Sequence, residues 1–123
     1  MSGIPEFSAA DHRLVRATLG ERFGAQVADA VEIKDVETEI RLSHADRELT
    51  VCPALFWIVG DCAFVLSRTG PAEYRAMFYY SVKERYGTGR EDYDNLGDCV
   101  IGLLKAQEEE DARRQGEARA SGR

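Results

Sequence analysis

Three cysteines and two histidines are the side chains of this sequence best suited to nucleophilic or metal chemistry. Cys52, Cys62 and Cys99 lie far apart, and none forms the Cys-x-x-Cys pair typical of zinc and redox sites. A thiol nucleophile needs a neighbouring base, but His44 is expected in a loop at the opposite end of the sheet from Cys62. The spacing therefore predicts no catalytic residue, no metal site and no cofactor, and it favours buried thiols that act as small apolar side chains.

Two short stretches have part of the pattern of a ligand-binding loop. Residues 92–97 begin like a calcium loop, but Leu96 and Leu103 occupy the fifth and twelfth positions, where such a loop needs oxygen ligands. Residues 87–90, Gly-Thr-Gly-Arg, have neither the preceding strand nor the following lysine of a phosphate loop. Acids at the start of a helix and a flexible turn between helices account for these two patterns.

The charge balance argues against nucleic acid as a partner. The 123 residues carry 16 Lys and Arg against 22 Asp and Glu, which gives a net charge of −6 at pH 7. Affinity for nucleic acid depends on counterion release by basic side chains. The longest apolar run, Pro53 to Gly60, is far shorter than the roughly 20 residues of a membrane-spanning helix. We therefore expect no nucleic-acid partner and no membrane association.

Length and cysteine usage fit one intracellular domain. The odd number of cysteines argues against a disulfide scaffold. The first six residues lack the basic and apolar regions of a signal peptide. We predict a cytoplasmic protein with a single α+β domain at residues 1–115 and a disordered tail at residues 116–123, where no apolar stripe remains.

Apolar residues at helical spacing predict helices at both ends of the domain. The N-terminal helix is expected from Ser8 to about Arg22, because a capping pattern starts it and Gly20 and Gly24 favour a kink or break near them. A last helix is expected from about Asp92, and its apolar stripe ends at Gln107. These helices are the elements that would cover one face of a sheet.

A change to a period of two predicts a three-stranded antiparallel meander at about residues 33–68. A two-residue turn at residues 60–61 and a four-residue link at residues 44–47 divide it. The predicted pairs are Val59 with Cys62, Trp57 with Phe64, Leu55 with Leu66, Ile40 with Val51 and Leu42 with Leu49. The expected core face carries Val36, Ile40, Leu42, Val51, Leu55, Trp57, Phe64 and Leu66.

The aromatic-rich segment 71–86 fits two structures. Its residues could alternate as a fourth strand, but Pro71, Glu73 and the glycine at position 87 favour a helix that starts and stops at these residues. The predicted fold class is α+β: an N-terminal helix, a three-stranded antiparallel meander, or a four-stranded one if this segment is a strand, and two C-terminal helices. This order is similar to that of small interaction modules such as secretion chaperones and double-stranded RNA-binding domains, and the acidic charge disfavours the second.

Apolar residues left on the second sheet face predict self-association. Helices that cover the core face cannot also cover side chains that point to the opposite side. In addition, one helix cannot bury consecutive aromatic rings on one side. The candidate interface residues are Phe56, Ile58, Val65, Tyr79 and Tyr80.

These patterns favour a small, acidic, non-catalytic binding or adaptor protein, chaperone-like, that acts as a homodimer and binds a further protein. The alternative is a small-molecule-binding protein or small enzyme with a pocket between the sheet and the Tyr-rich helix. The sequence leaves open whether the chain has an activity of its own.

Overall fold

The computed structural model describes residues 4–43, 45–81, 83–88 and 92–121, with residues 118–121 described by their backbone. Within these residues, three helices and five strands are present: α1 (Ala9–Phe23), α2 (Ala25–Ala30), β1 (Lys34–Ile40), β2 (Thr50–Val59), β3 (Cys62–Gly70), β4 (Glu73–Ser81), β5 (Glu84–Gly87) and α3 (Leu96–Ser121). The strands form one antiparallel sheet in the order β1-β2-β3-β4-β5. The predicted α+β class is confirmed.

The N-terminal helix begins and breaks close to the predicted positions. Ser8 Oγ accepts a hydrogen bond from the Asp11 amide at 3.1 Å, and the Ser8 amide donates to the Asp11 carboxylate at 2.8 Å. This reciprocal cap satisfies two amides that the first helical turn leaves free. Gly24 has a φ of 92°, which only glycine adopts readily, and it separates α1 from α2.

The β2–β3 hairpin has the predicted register. Val59 pairs with Cys62, Trp57 with Phe64 and Leu55 with Leu66. Gly60 has a φ of 61°, and no non-glycine residue of the described chain has a positive φ, so the turn is of the type with glycine at its first central position. A local turn that only glycine suits therefore fixes these pairs.

The predicted register of the first hairpin is wrong by one residue. Ile40 pairs with Thr50 and Val36 with Ala54. The connection spans residues 41–49 rather than four residues, so it does not set the pairing. Because a one-residue shift moves every side chain of β1 to the other face, Val36 and Ile40 lie opposite the core. Val51 stays on the core face of β2, as predicted, but it is 43% exposed there.

The predicted helix at residues 71–86 is wrong, and so is the prediction of two C-terminal helices. Residues 71–72 form the turn between β3 and β4, and the aromatic residues that follow alternate across the sheet. Phe78 pairs with Phe64 and with Tyr86, while Tyr79 pairs with Ala63. Cross-strand aromatic packing on both neighbours outweighs the local helix signals of this segment.

The single helix that follows, α3, starts four residues later than predicted. Tyr93 instead exchanges two backbone hydrogen bonds of 2.8 Å with Tyr74 on β4. Asn95 Oδ1 then accepts a hydrogen bond from the Asp98 amide at 3.0 Å, which caps the start of α3. The backbone of α3 continues through residues 116–121, part of the predicted tail.

Helices α1 and α3 cover one face of the sheet and enclose the core. Trp57 is fully buried there, as predicted, and its ring stacks on Phe64 with 5.4 Å between centroids. The largest buried side chains around it are Phe64, Phe78, Leu19, Leu55, Leu66 and Leu103. In the described part of the chain, no helix combines the length and the apolar character needed to cross a membrane.

Candidate functional site

The cysteines are buried and poorly suited to nucleophilic chemistry. All three are buried inside the fold and are not joined in disulfides. Burial raises the pKa of the Cys62 thiol to about 11 and also raises the pKa of Cys52. Because the thiolate is the reactive form, neither thiol is activated at neutral pH.

His12, the histidine that the structure describes, contacts a carboxylate and not one of these thiols. His12 Nε2 lies 3.0 Å from Asp35 Oδ1 and joins α1 to β1. His44 lies outside the described residues, as do residues 89 and 90 of the predicted glycine-rich turn. Among the residues that are described, no group of three or more His, Cys, Asp and Glu side chains converges to hold a metal ion.

The second face of the sheet carries a continuous apolar surface, which we call the open sheet face. Phe56 pairs with Val65, which pairs with Met77, and Ala63 lies between Ile58 and Tyr79 in the next row. Directly paired residues project to the same face. The apolar side chains of the open sheet face are Val36, Phe56, Ile58, Val65, Met77 and Tyr79. Lys34, which pairs with Phe56, and Arg85, which pairs with Tyr79, lie at its two edges. Ile58 is its most accessible member, with 53% of its surface exposed.

Four of the five predicted interface residues lie together on this face, and Tyr80 lies on the other one. Gln107 Nε2 donates to the Tyr80 hydroxyl at 3.3 Å, and the Arg114 guanidinium lies 3.7 Å from the centre of its ring. Tyr79 and Tyr80 are neighbours in a strand, so they must point to opposite sides. Val36 and Met77 also lie on this face, but they were not among the predicted interface residues. Had residues 74–81 been predicted as a strand, their alternation would have identified Met77.

The other half of this face is covered by the chain itself. The Arg75 guanidinium donates to the carbonyl oxygens of Arg41 at 2.9 Å and Leu42 at 2.8 Å. It also forms an ion pair of 2.7 Å with Asp92. Arg75 therefore holds the start of the 41–49 connection over the sheet, on the face that carries Ser67.

The sheet also curls toward this covered half. Thr38 Oγ1 and Ser67 Oγ share a hydrogen bond of 2.8 Å across the intervening strand β2. In a flat sheet, strands two apart are separated by roughly 9.6 Å. The small side chains of Cys52 and Ala54 are buried beneath this contact. The covered half of this face thus buries Cys52 and Ala54, whereas the open half presents apolar surface to solvent.

A groove of about 390 Å³ borders the open sheet face at the last residues of β2. We call it the β2 groove. Its lining consists of Val27, Ala30, Val31, Glu32, Lys34, Phe56, Trp57, Ile58, Val59 and Gly60. Arg16 fixes its helical wall, because its guanidinium donates to the carbonyl oxygens of Ala28 and Val31 at the end of α2.

Comparison with family models, with curated proteins and with solved structures finds no match to this chain. The interpretation of the site therefore depends on its own geometry. The open sheet face and the β2 groove together offer apolar contact surface and main-chain groups. These are the means by which proteins bind other polypeptides.

Proposed function

We propose that this protein is a small acidic adaptor or chaperone-like binding protein that acts as a homodimer through its open sheet face. The observation that carries this proposal is the contiguous apolar surface on four strands, with Ile58 and Val36 both exposed. The proposal includes a cytoplasmic location, which three cysteines outside any disulfide support.

A second copy is the partner best suited to this face. The helices α1 and α3 already occupy the opposite side of the sheet, and a sheet with two apolar faces needs a layer on each. A two-fold interface brings the same patch of two copies together, and it is the commonest form of protein self-association. Two copies would bury Phe56, Ile58 and Val65 against their equivalents without exposing new apolar surface.

The alternative function required a pocket between the sheet and a Tyr-rich helix, and the segment expected to form that helix is not helical. The aromatic residues of that segment form β4 and β5, and Phe78 and Tyr86 stack with 5.2 Å between centroids inside the aromatic cluster.

The test compares two exposed isoleucines. Ile58 lies on the open sheet face and Ile101 on α3, and their exposed fractions are 53% and 56%. Sedimentation velocity should give a dimer for the parent and for Ile101→Glu, and a folded monomer for Ile58→Glu, because a carboxylate cannot be buried unpaired in an apolar interface. Val36→Glu serves as the second variant if Ile58→Glu fails to fold by circular dichroism.

A parent protein that stays monomeric at high micromolar concentration would contradict the homodimer. Dissociation by Ile101→Glu, with Ile58→Glu still dimeric, would place the interface on the helices instead.

A further inference from the structure

The main chain of Ile58 faces the β2 groove. The pair Val59–Cys62 closes a two-residue turn, so the backbone groups of Val59 point to β3. Backbone direction alternates along a strand, and the N–H and C=O of Ile58 therefore point away from β3, toward the side that β1 occupies farther along β2. β1 starts only opposite Phe56. Among the described residues, no backbone hydrogen bond joins Ile58 to the segment 31–33.

The end of β2 that β1 leaves unpaired is as long as a short strand. Three residues of β2, Trp57 to Val59, extend beyond the start of β1, which corresponds to roughly 10 Å of strand. Val27 and Ala30 on α2 form the facing wall, and both are exposed. An extended segment placed here can bond to the main chain of Ile58 and set an apolar side chain against that wall.

The charges beside the groove favour a basic segment over a second copy of this chain as the occupant. Glu32 lies at the rim of the groove, and Asp35, Glu37 and Glu39 follow along the exposed edge strand β1. Lys34 is the one basic residue between positions 32 and 39. This acidic edge repels the same edge of a second copy, and it attracts a segment with basic residues.

We propose that the β2 groove binds an extended peptide segment of a partner protein, with an apolar centre and basic flanks, which adds as a short strand beside Ile58. Addition of a strand to a free edge gives affinity through main-chain hydrogen bonds and specificity through side-chain pockets. This inference rests on the proposed adaptor function and names the class of partner. The groove borders the dimer interface and shares Phe56 and Ile58 with it, while its facing wall, formed by Val27 and Ala30 of α2, lies outside that interface.

The test uses two capped peptides with alternating valine and threonine at the centre, one with two lysines at each end and the other with two glutamates. Fluorescence anisotropy with the full chain should show binding of the lysine peptide and at least about tenfold weaker binding of the glutamate peptide. On binding, the Ile58 amide should become protected against hydrogen exchange, because it then donates to the peptide.

Two variants, each with one alanine replaced by phenylalanine, locate the binding site. Ala30→Phe fills the groove and should weaken binding at least about tenfold, whereas Ala112→Phe, at an exposed position of α3, should leave it within about twofold. Equal affinity for the two peptides, no binding of the lysine peptide, or an unaltered affinity in Ala30→Phe would each overturn the proposal. Sedimentation of Ala30→Phe separates this result from the dimer, because the groove variant should sediment like the parent.

Discussion

Trp57 is the residue on which the core depends most. It is the largest fully buried side chain, and it lies between the stacked ring of Phe64 and the helices that cover the sheet. Its indole Nε1 is buried and has no hydrogen-bond partner among the residues described. Its contribution to stability is therefore one of packing and apolar burial, not of hydrogen bonding.

Substitution of Trp57 separates these two contributions. Trp57→Ala should lower the free energy of unfolding by about 3–5 kcal/mol, because it removes the ring and leaves a cavity. Trp57→Phe should cost only about 1–2 kcal/mol, since it keeps the stacking on Phe64 and loses an N–H that forms no bond. Urea unfolding followed by far-ultraviolet circular dichroism measures both. Equal losses in the two variants would mean that the indole nitrogen has a partner, such as a buried water.

At the scale of elements, the sequence predicted what local geometry determines. The Ser8 cap and the break at Gly24 follow from a few neighbouring residues, and so does the β2–β3 register, which one glycine turn sets. The β1–β2 register was not predictable in this way. No short turn sets it, and the long connection that follows β1 is held at its start by Arg75, a residue more than thirty positions away from Arg41.

The prediction of the candidate site from the sequence failed in the aromatic segment 71–86, again because distant residues decide its structure. Pro71 and Glu73 suit a helix start, but the tertiary partners Phe64 and Ala63 select a strand. Reading the segment as a helix grouped Tyr79 with Tyr80, which the strand separates. Phe56, Ile58 and Val65 were found because their alternation is visible in a hairpin that the turn alone defines.

The C-terminal half of α3 is held mainly through Arg114. Its guanidinium contacts Glu84 on β5 and lies over the ring of Tyr80. Hydrogen bonds from Arg113 and Tyr86 keep the pKa of Glu110 below its ordinary value, so this carboxylate is charged at neutral pH and pairs with Arg113 and Arg114.

Two truncations test this anchor. A chain ending after Gln115 keeps Arg114 and should melt within about 1 °C of the parent, since the removed residues have no apolar stripe. A chain ending after Asp111 loses the anchor and should melt about 5 °C lower, the shift expected for about 1 kcal/mol in a domain of this size. Thermal unfolding at one fixed protein concentration compares them. A large loss in the longer chain would show that residues 116–123 dock on the domain.

At the scale of the whole molecule, one chain supplies two helices long enough to form a layer, and they lie on the same side of the sheet. On the opposite side, Arg75 and the first residues of the 41–49 connection cover part of the sheet, and the open sheet face is apolar and accessible. With a net charge of −6, the surface elsewhere favours separation of the chains. The proposed association would therefore come from apolar burial at the open sheet face.

Thermal stability should consequently depend on protein concentration. If the folded state is a dimer, unfolding releases two chains, and mass action raises the melting temperature by roughly 3 °C for each tenfold increase in concentration. Ile58→Glu should melt at the same temperature at every concentration, because its folded state is a monomer. Ile101→Glu, which carries the same change on the helical surface, should keep the dependence of the parent. Differential scanning calorimetry over two decades of concentration measures all three, and a parent whose melting temperature does not move would be folded as a single chain.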